Sequence, residues 1–131
     1  FRRVLFRSKI RSKQNPWNIN CFAEIAVKYV LKDTQYIDQS RSWIEKEKIY
    51  LPEKLKKVKF IEKVYKTNTN FVLCKLKEMT CNEFYELCIQ KGIIIRRASN
   101  FKNLDDHYVR FAIKDRYKDD LLLSILETLE E

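Results

Sequence analysis

Apolar positions recur along this chain at two spacings, and each change of spacing marks an element. Over residues 20–32, Phe22, Ile25, Ala26 and Tyr29 fall on one helical stripe shortly after Pro16. Asp33 or Thr34 can cap the next helix. It is expected over residues 36–58, with Ile37, Trp43 or Ile44, and Leu51 or Leu55 turned inward. Pro52 lies inside that pattern and should kink or split the helix, because it lacks an amide hydrogen and crowds the preceding turn. Residues 61–65 and 71–76 read as strands about the polar turn Thr67-Asn68-Thr69-Asn70. Thr80-Cys81-Asn82-Glu83 has capping-box spacing and opens a helix that turns Phe84, Leu87 and Cys88 inward. Gly92, the only glycine, stands where a left-handed helix cap is wanted. Residues 93–96 read as a buried strand, and residues 107–113 alternate as a half-buried one. Asp115 can cap a last helix with an apolar stripe of Leu121, Leu122, Ile125, Leu126 and Leu129. The order α-α-β-β-α-β-β-α predicts an α/β domain of layered α+β type, a small mixed sheet covered by helices.

Composition narrows the classes. At 131 residues and 45% hydrophobic content the chain is one domain's worth, able to bury a core. No long uncharged apolar run reads as a membrane span, and no charged-then-apolar start reads as a secretion signal, so a cytoplasmic setting is expected. Cys21, Cys74, Cys81 and Cys88 contain no C-x-x-C, and His107 is the only histidine, so neither a metal site nor a disulfide framework is predicted. Cys81 and Cys88 share a helix face, and the cysteines are expected to be reduced and buried. No phosphate-binding glycine loop, dinucleotide fingerprint or nucleophile elbow is present.

The net charge of +9 invites a nucleic-acid reading, but the charge is spread. Phe1 to Ser8 holds three arginines and no lysine, unlike the lysine-rich remainder, and resembles read-through of a sequencing adaptor. Residues 1–8 are therefore expected to be a non-native leader. Removing those three arginines from the 27 basic residues leaves 24 against 18 acidic, a net of +6. Runs such as Glu45-Lys46-Glu47-Lys48 suit solvated helix faces. Phe71, Phe84, Trp43 and Phe111 fall on apolar stripes rather than among exposed cations, so no nucleic-acid partner is expected. A freestanding basic α/β module remains the remote alternative.

Two arginines stand apart. Arg96 ends one β-branched run and Arg110 lies within the next, with a polar loop between. Two such strands can meet across a sheet, and paired guanidinium forks grip a phosphate or carboxylate bidentately. Arg97 follows Arg96 directly and should point to the opposite face.

Asn15-Pro16-Trp17-Asn18-Ile19-Asn20-Cys21-Phe22-Ala23 resembles the P-W-N-V-N-x-x-A segment of threonine-phosphate decarboxylases, relatives of histidinol-phosphate aminotransferases in the fold-type I pyridoxal-phosphate family. Thr67 to Leu73 is similar to the family's T-N-F strand, and Gly92 to Arg96 to its G-I-x-I-R. Ser99-Asn100-Phe101 with Leu104-Asp105 resembles S-N-F-x-G-L-D, and Tyr108 to Lys114 its final R-x-A-V-K strand. Trp17 and the Ala112-Ile113-Lys114 ending favour the decarboxylase over the aminotransferase. Arg97 stands where the family often has aspartate, and Asn103 where its loop has glycine.

The resemblance implies that residues 9–131 are the C-terminal small domain of such an enzyme, with the large cofactor-binding domain missing. The cofactor's lysine and its partner aspartate belong upstream of the matched region, so no catalytic residue is expected here and the fragment alone should be inactive. It implies pyridoxal 5'-phosphate in a homodimeric parent, with O-phospho-L-threonine decarboxylated to 1-aminopropan-2-ol phosphate in cobalamin biosynthesis. Histidinol-phosphate aminotransferase, or another class I/II aminotransferase, is the runner-up. Arg96 and Arg110 are implied to hold the phosphate of a phosphorylated amino-acid substrate, with Asn18, Asn20 and Asn100 as further pocket candidates. The apolar stripe of residues 22–29 should then face the large domain or a partner subunit.

Overall fold

The computed structural model describes residues 2–14 and 20–130, with side chains from residue 5 onward. The chain divides into two compact units, residues 1–38 and 39–131.

The first unit holds α1 (Arg2–Arg11), α2 (Cys21–Val30) and the start of α3 (Thr34–Leu55). Residues 2–8 of the expected leader are therefore helical. Asn20 caps α2, its Oδ1 accepting from the Ala23 amide at 2.7 Å. Asp33, rather than Thr34, closes the start of α3 by accepting from the Tyr36 amide at 2.9 Å. The α2 stripe forms as expected, yet no residue of α2 is buried, and Phe22 is 79% exposed.

The second unit continues α3 and adds β1 (Ile61–Val64), β2 (Phe71–Leu76), α4 (Cys81–Gln90), β3 (Arg96–Arg97), β4 (Tyr108–Ala112) and α5 (Arg116–Thr128). The sheet runs β1-β2-β4-β3. All three pairings are antiparallel, so the strand directions are not mixed. Pro52 does not split α3. The helix runs on to Leu55, and the Pro52 carbonyl accepts from the Lys56 amide at 3.1 Å. One missing donor is tolerated because fully buried Leu51 and Leu55 hold the helix on both sides of it. Of the alternatives two turns earlier, Ile44 packs against the core while Trp43 stays exposed.

Alternation divides the sheet into two faces. Val72, Cys74 and Leu76 of β2 and Val109 and Phe111 of β4 are buried. They pack with Leu51 and Leu55 of α3, Phe84 and Cys88 of α4, and Leu123 and Leu126 of α5. Phe84 packs at a tilt against Phe60 at 5.2 Å and meets Phe111 edge-on at 6.1 Å. Phe71, Leu73 and Lys75 of β2 and Tyr108, Arg110 and Ala112 of β4 take the opposite phase, and so the opposite face.

Several expectations need correction. Residues 93–96 do not form a buried strand: only Arg96–Arg97 pairs with β4, and Ile94 is 82% exposed. Gly92 adopts φ 78°, and the Gly92 and Ile93 amides donate back to the carbonyls of Ile89 and Cys88, both at 2.9 Å. Those bonds complete the C-terminal cap of α4, so Ile93 is not free to join the ladder. The α5 stripe is rotated, with Leu123 and Leu126 buried and Leu121 exposed. Cys74, Cys81 and Cys88 are buried free thiols, and burial pushes Cys74 up to about 12 and Cys88 to about 11. Cys21, expected to be buried, is exposed.

Candidate anion-binding site

Arg96 and Arg110 are Cα partners across β3 and β4. Directly opposed residues share a face, here the face opposite the core. Phe71, the diagonal neighbour of Arg110 on β2, lies under its guanidinium, 3.6 Å from ring centre to Cζ. Phe101 stands near both forks, 5.6 Å from Arg110 Cζ and 5.8 Å from Arg96 Cζ. A tight loop sets Phe101 there. The Phe101 amide donates to the Ala98 carbonyl and the Leu104 amide to the Phe101 carbonyl, both at 3.1 Å. Asn103 completes that loop at φ 69°, a left-handed conformation that asparagine tolerates better than most residues. The departure from glycine at this position is thus a substitution that the backbone accommodates.

Among the described residues, neither Arg96 nor Arg110 forms an ion pair with a carboxylate. Arg110 Nε is buried with no hydrogen-bond partner. Like charges directly opposed on a sheet repel, and an unsatisfied buried donor costs about 1–3 kcal/mol. Stacking on the two rings offsets part of that, at about 0.5–2 kcal/mol per cation–π contact. An anion between the forks would offset the repulsion between the two charges.

Arg97 behaves as its phase requires. Its guanidinium lies over Tyr85 at 4.5 Å, and Nη1 donates to Asn82 Oδ1 at 2.8 Å, so it is engaged on the α4 side. A cleft of about 640 Å³ borders the pair, within the size range of small-molecule sites. Arg96, Arg97, Arg110, Lys114 and Lys118 contribute positive charge to its lining, against the single carboxylate of Asp119. Asp119 is 1% exposed, and its Oδ1 accepts from the Lys114 amide at 3.0 Å. Burial chiefly, with nearby Glu47, Asp115 and Asp120, raises this carboxyl to about 6 against the lowering bond from the Lys114 amide. Asp115 bonds Lys118 and holds that ammonium's pKa above its usual value.

Of the site residues expected from sequence, Arg96 and Arg110 meet. Asn100 lies exposed in the Phe101 loop. The Asn20 side chain serves as the cap of α2. Asn18 and Trp17 lie outside the described residues. The sequence reading missed Phe71 and Phe101. Phe71, on an apolar stripe by sequence, shares the outward phase of Leu73 and Lys75, and that alternation is the signal in the sequence. His107, read as isolated, stands 3.1 Å from Asp106 through Nδ1, and its amide donates to Asp105 Oδ1 at 2.9 Å.

No protein-family model matches the chain. It is 35% identical over 123 residues to a protein of Caldanaerobacter subterraneus subsp. tengcongensis named as a threonine-phosphate decarboxylase, covering 94% of this chain and 33% of that protein. The crystal structure of the histidinol-phosphate aminotransferase from Clostridium acetobutylicum superposes with TM-score 0.85 at 48% identity, covering 94% of this chain and 37% of that one. The crystal structure of L-threonine-O-3-phosphate decarboxylase from Porphyromonas gingivalis gives TM-score 0.79 at 29% identity, covering 96% and 39%. The chain spans about a third of the length of the curated relatives it matches.

Proposed function

We propose that this chain, a homologue of the threonine-phosphate decarboxylases and histidinol-phosphate aminotransferases in the fold-type I pyridoxal-phosphate family, is the small C-terminal domain of such an enzyme. In it, Arg96 and Arg110 grip the phosphate of an amino-acid substrate. The observation that carries this reading is the directly opposed arginine pair, free of carboxylate partners among the described residues, with the Arg110 Nε buried and unsatisfied.

Pyridoxal phosphate, when bound, supplies an electron sink that weakens whichever substrate bond stands perpendicular to its ring. The residues of this chain suit the substrate's anion; the resemblance implies that the cofactor's lysine and aspartate would lie upstream of the matched region. Two forks on one sheet face match the tetrahedral oxygens of a phosphate ester and orient it through charge-assisted bonds. The cationic cleft raises the local concentration of such an anion. Engaging the phosphate leaves the substrate's carboxylate uncommitted by these arginines, so that it would be free to leave as carbon dioxide.

The preferred activity is decarboxylation of O-phospho-L-threonine in a homodimeric, cytoplasmic enzyme. Transamination of histidinol phosphate is the second reading, favoured by the 48% identity to the Clostridium acetobutylicum structure. Both substrates carry a phosphate monoester, so the arginine pair suits either. The chain joined to its natural upstream sequence and loaded with cofactor is to be offered each compound in turn. Carbon dioxide release from O-phospho-L-threonine is expected. Amino transfer from histidinol phosphate to a 2-oxo acid without such release would establish the second reading instead.

A further inference from the structure

We infer that Phe71 and Phe101 are the positioning residues of this site, their rings fixing the two guanidinium planes so that both forks converge on one phosphate. The inference rests on the phosphate-grip reading above. Two free arginines on adjacent strands would swing apart, since their charges repel and each side chain has much rotamer freedom to gain. Here they do not. Arg110 Cζ stands 3.6 Å from the centre of the half-buried Phe71 ring, in close contact with its face. With one face of the fork covered and its Nε buried, Arg110 is held to one plane.

Phe101 differs from Phe71 in that it addresses both arginines, at 5.6 and 5.8 Å. A single ring beside both cations restrains both side chains at once. Phe101 has no place in the buried core, and the loop that presents it is closed by a left-handed Asn103. A ring held at the surface by a constrained loop, beside two cations without acids, is poorly accounted for by packing alone. An arginine prearranged in this way loses less freedom on binding, so the rings act on affinity for the anion rather than on the chemical step.

The test uses the cofactor-loaded full-length enzyme and whichever of O-phospho-L-threonine and L-histidinol phosphate it turns over. Phe71→Leu keeps an apolar side chain but removes the π face. It is expected to raise KM about 2- to 30-fold with little change in kcat, the range of one cation–π contact. Competitive inhibition by inorganic phosphate should weaken in parallel, and Phe71→Tyr should restore both. Phe101→Leu, on an exposed loop, should shift KM and the inhibition constant in the same direction without lowering thermal stability. Unchanged KM and phosphate inhibition in both leucine variants, while Arg110→Ala raises them, would overturn the inference and leave the grip reading standing. A fall in kcat or in folded protein with no rescue by tyrosine would mark a structural role and overturn it too. If Arg110→Ala changes neither quantity, the grip reading falls and this inference with it.

Discussion

Asp119 holds one carboxylate oxygen on the Lys114 amide and leaves the other buried without a partner. Its folded pKa of about 6 lies above the ordinary 3.8, so between those values the native state binds a proton that the unfolded state does not. The stabilisation is therefore full below 3.8 and is lost as pH rises through about 6. Asp119→Asn keeps the acceptor and removes the charge. Its Tm relative to the parent should climb as pH is raised across that window, read by thermal melts at several pH values; a constant difference would refute this. Asn103 offers a second residue-scale test. At φ 69°, Asn103→Gly should be nearly neutral, whereas Asn103→Ala should cost about 1–2 kcal/mol in denaturant unfolding. The family resemblance marked Asn103 as a departure, but the one-letter pattern carries no φ, so the reason it is tolerated was not legible.

At the scale of elements, what could be read from the chain is what closes within a few residues. The capping box of α4 has both partners inside one turn, Thr80 accepting from the Glu83 amide at 3.2 Å and Glu83 from the Thr80 amide at 2.7 Å. The Gly92 cap and the Asp115 cap are equally local. The extent of β3 was not legible, because it depends on how far β4 runs alongside and on cap bonds that claim Ile93. The link between α3 and α5 is likewise long-range. Glu47, 5% exposed, takes two bonds from Arg116, at 2.9 and 3.0 Å, and that guanidinium lies 3.4 Å from the centre of the Tyr50 ring. Arg116→Ala would leave a buried carboxylate unpaired beside Asp119, so it should destabilise more than Glu47→Gln, which removes the charge along with the pair. Urea midpoints of the two variants decide this, and the reverse order would contradict the account.

Across the whole molecule, the two hydrophobic periods were enough for the fold class, and the paired arginines stood out in the sequence. The resemblance supplied their role, and the structure added the rings beneath them. Phe71 was misplaced because an aromatic residue in a strand reads as core until the face of its neighbours is known. The exposed apolar side of α2 also acquires a meaning only at this scale. If that side faces the rest of the enzyme, the 131-residue chain alone should self-associate, and serine at Phe22 and Tyr29 should reduce this in sedimentation velocity. A monodisperse parent chain would count against it. The most direct test of the central claim is the specificity constant of the full-length enzyme for its phosphorylated substrate in two variants, Arg110→Ala and Arg97→Ala. Loss of the Arg110 fork from a desolvated site should cost about 2–5 kcal/mol, roughly 30-fold to several-thousand-fold. Arg110→Lys should recover only part of it, since an ammonium cannot reproduce the fork. Arg97 also borders the cleft, but its guanidinium is engaged with Asn82 and Tyr85 on the α4 side, so its loss should cost far less than that of Arg110. If Arg97→Ala proved the more damaging change, the anion would lie on the other side of the strand and the account would be wrong.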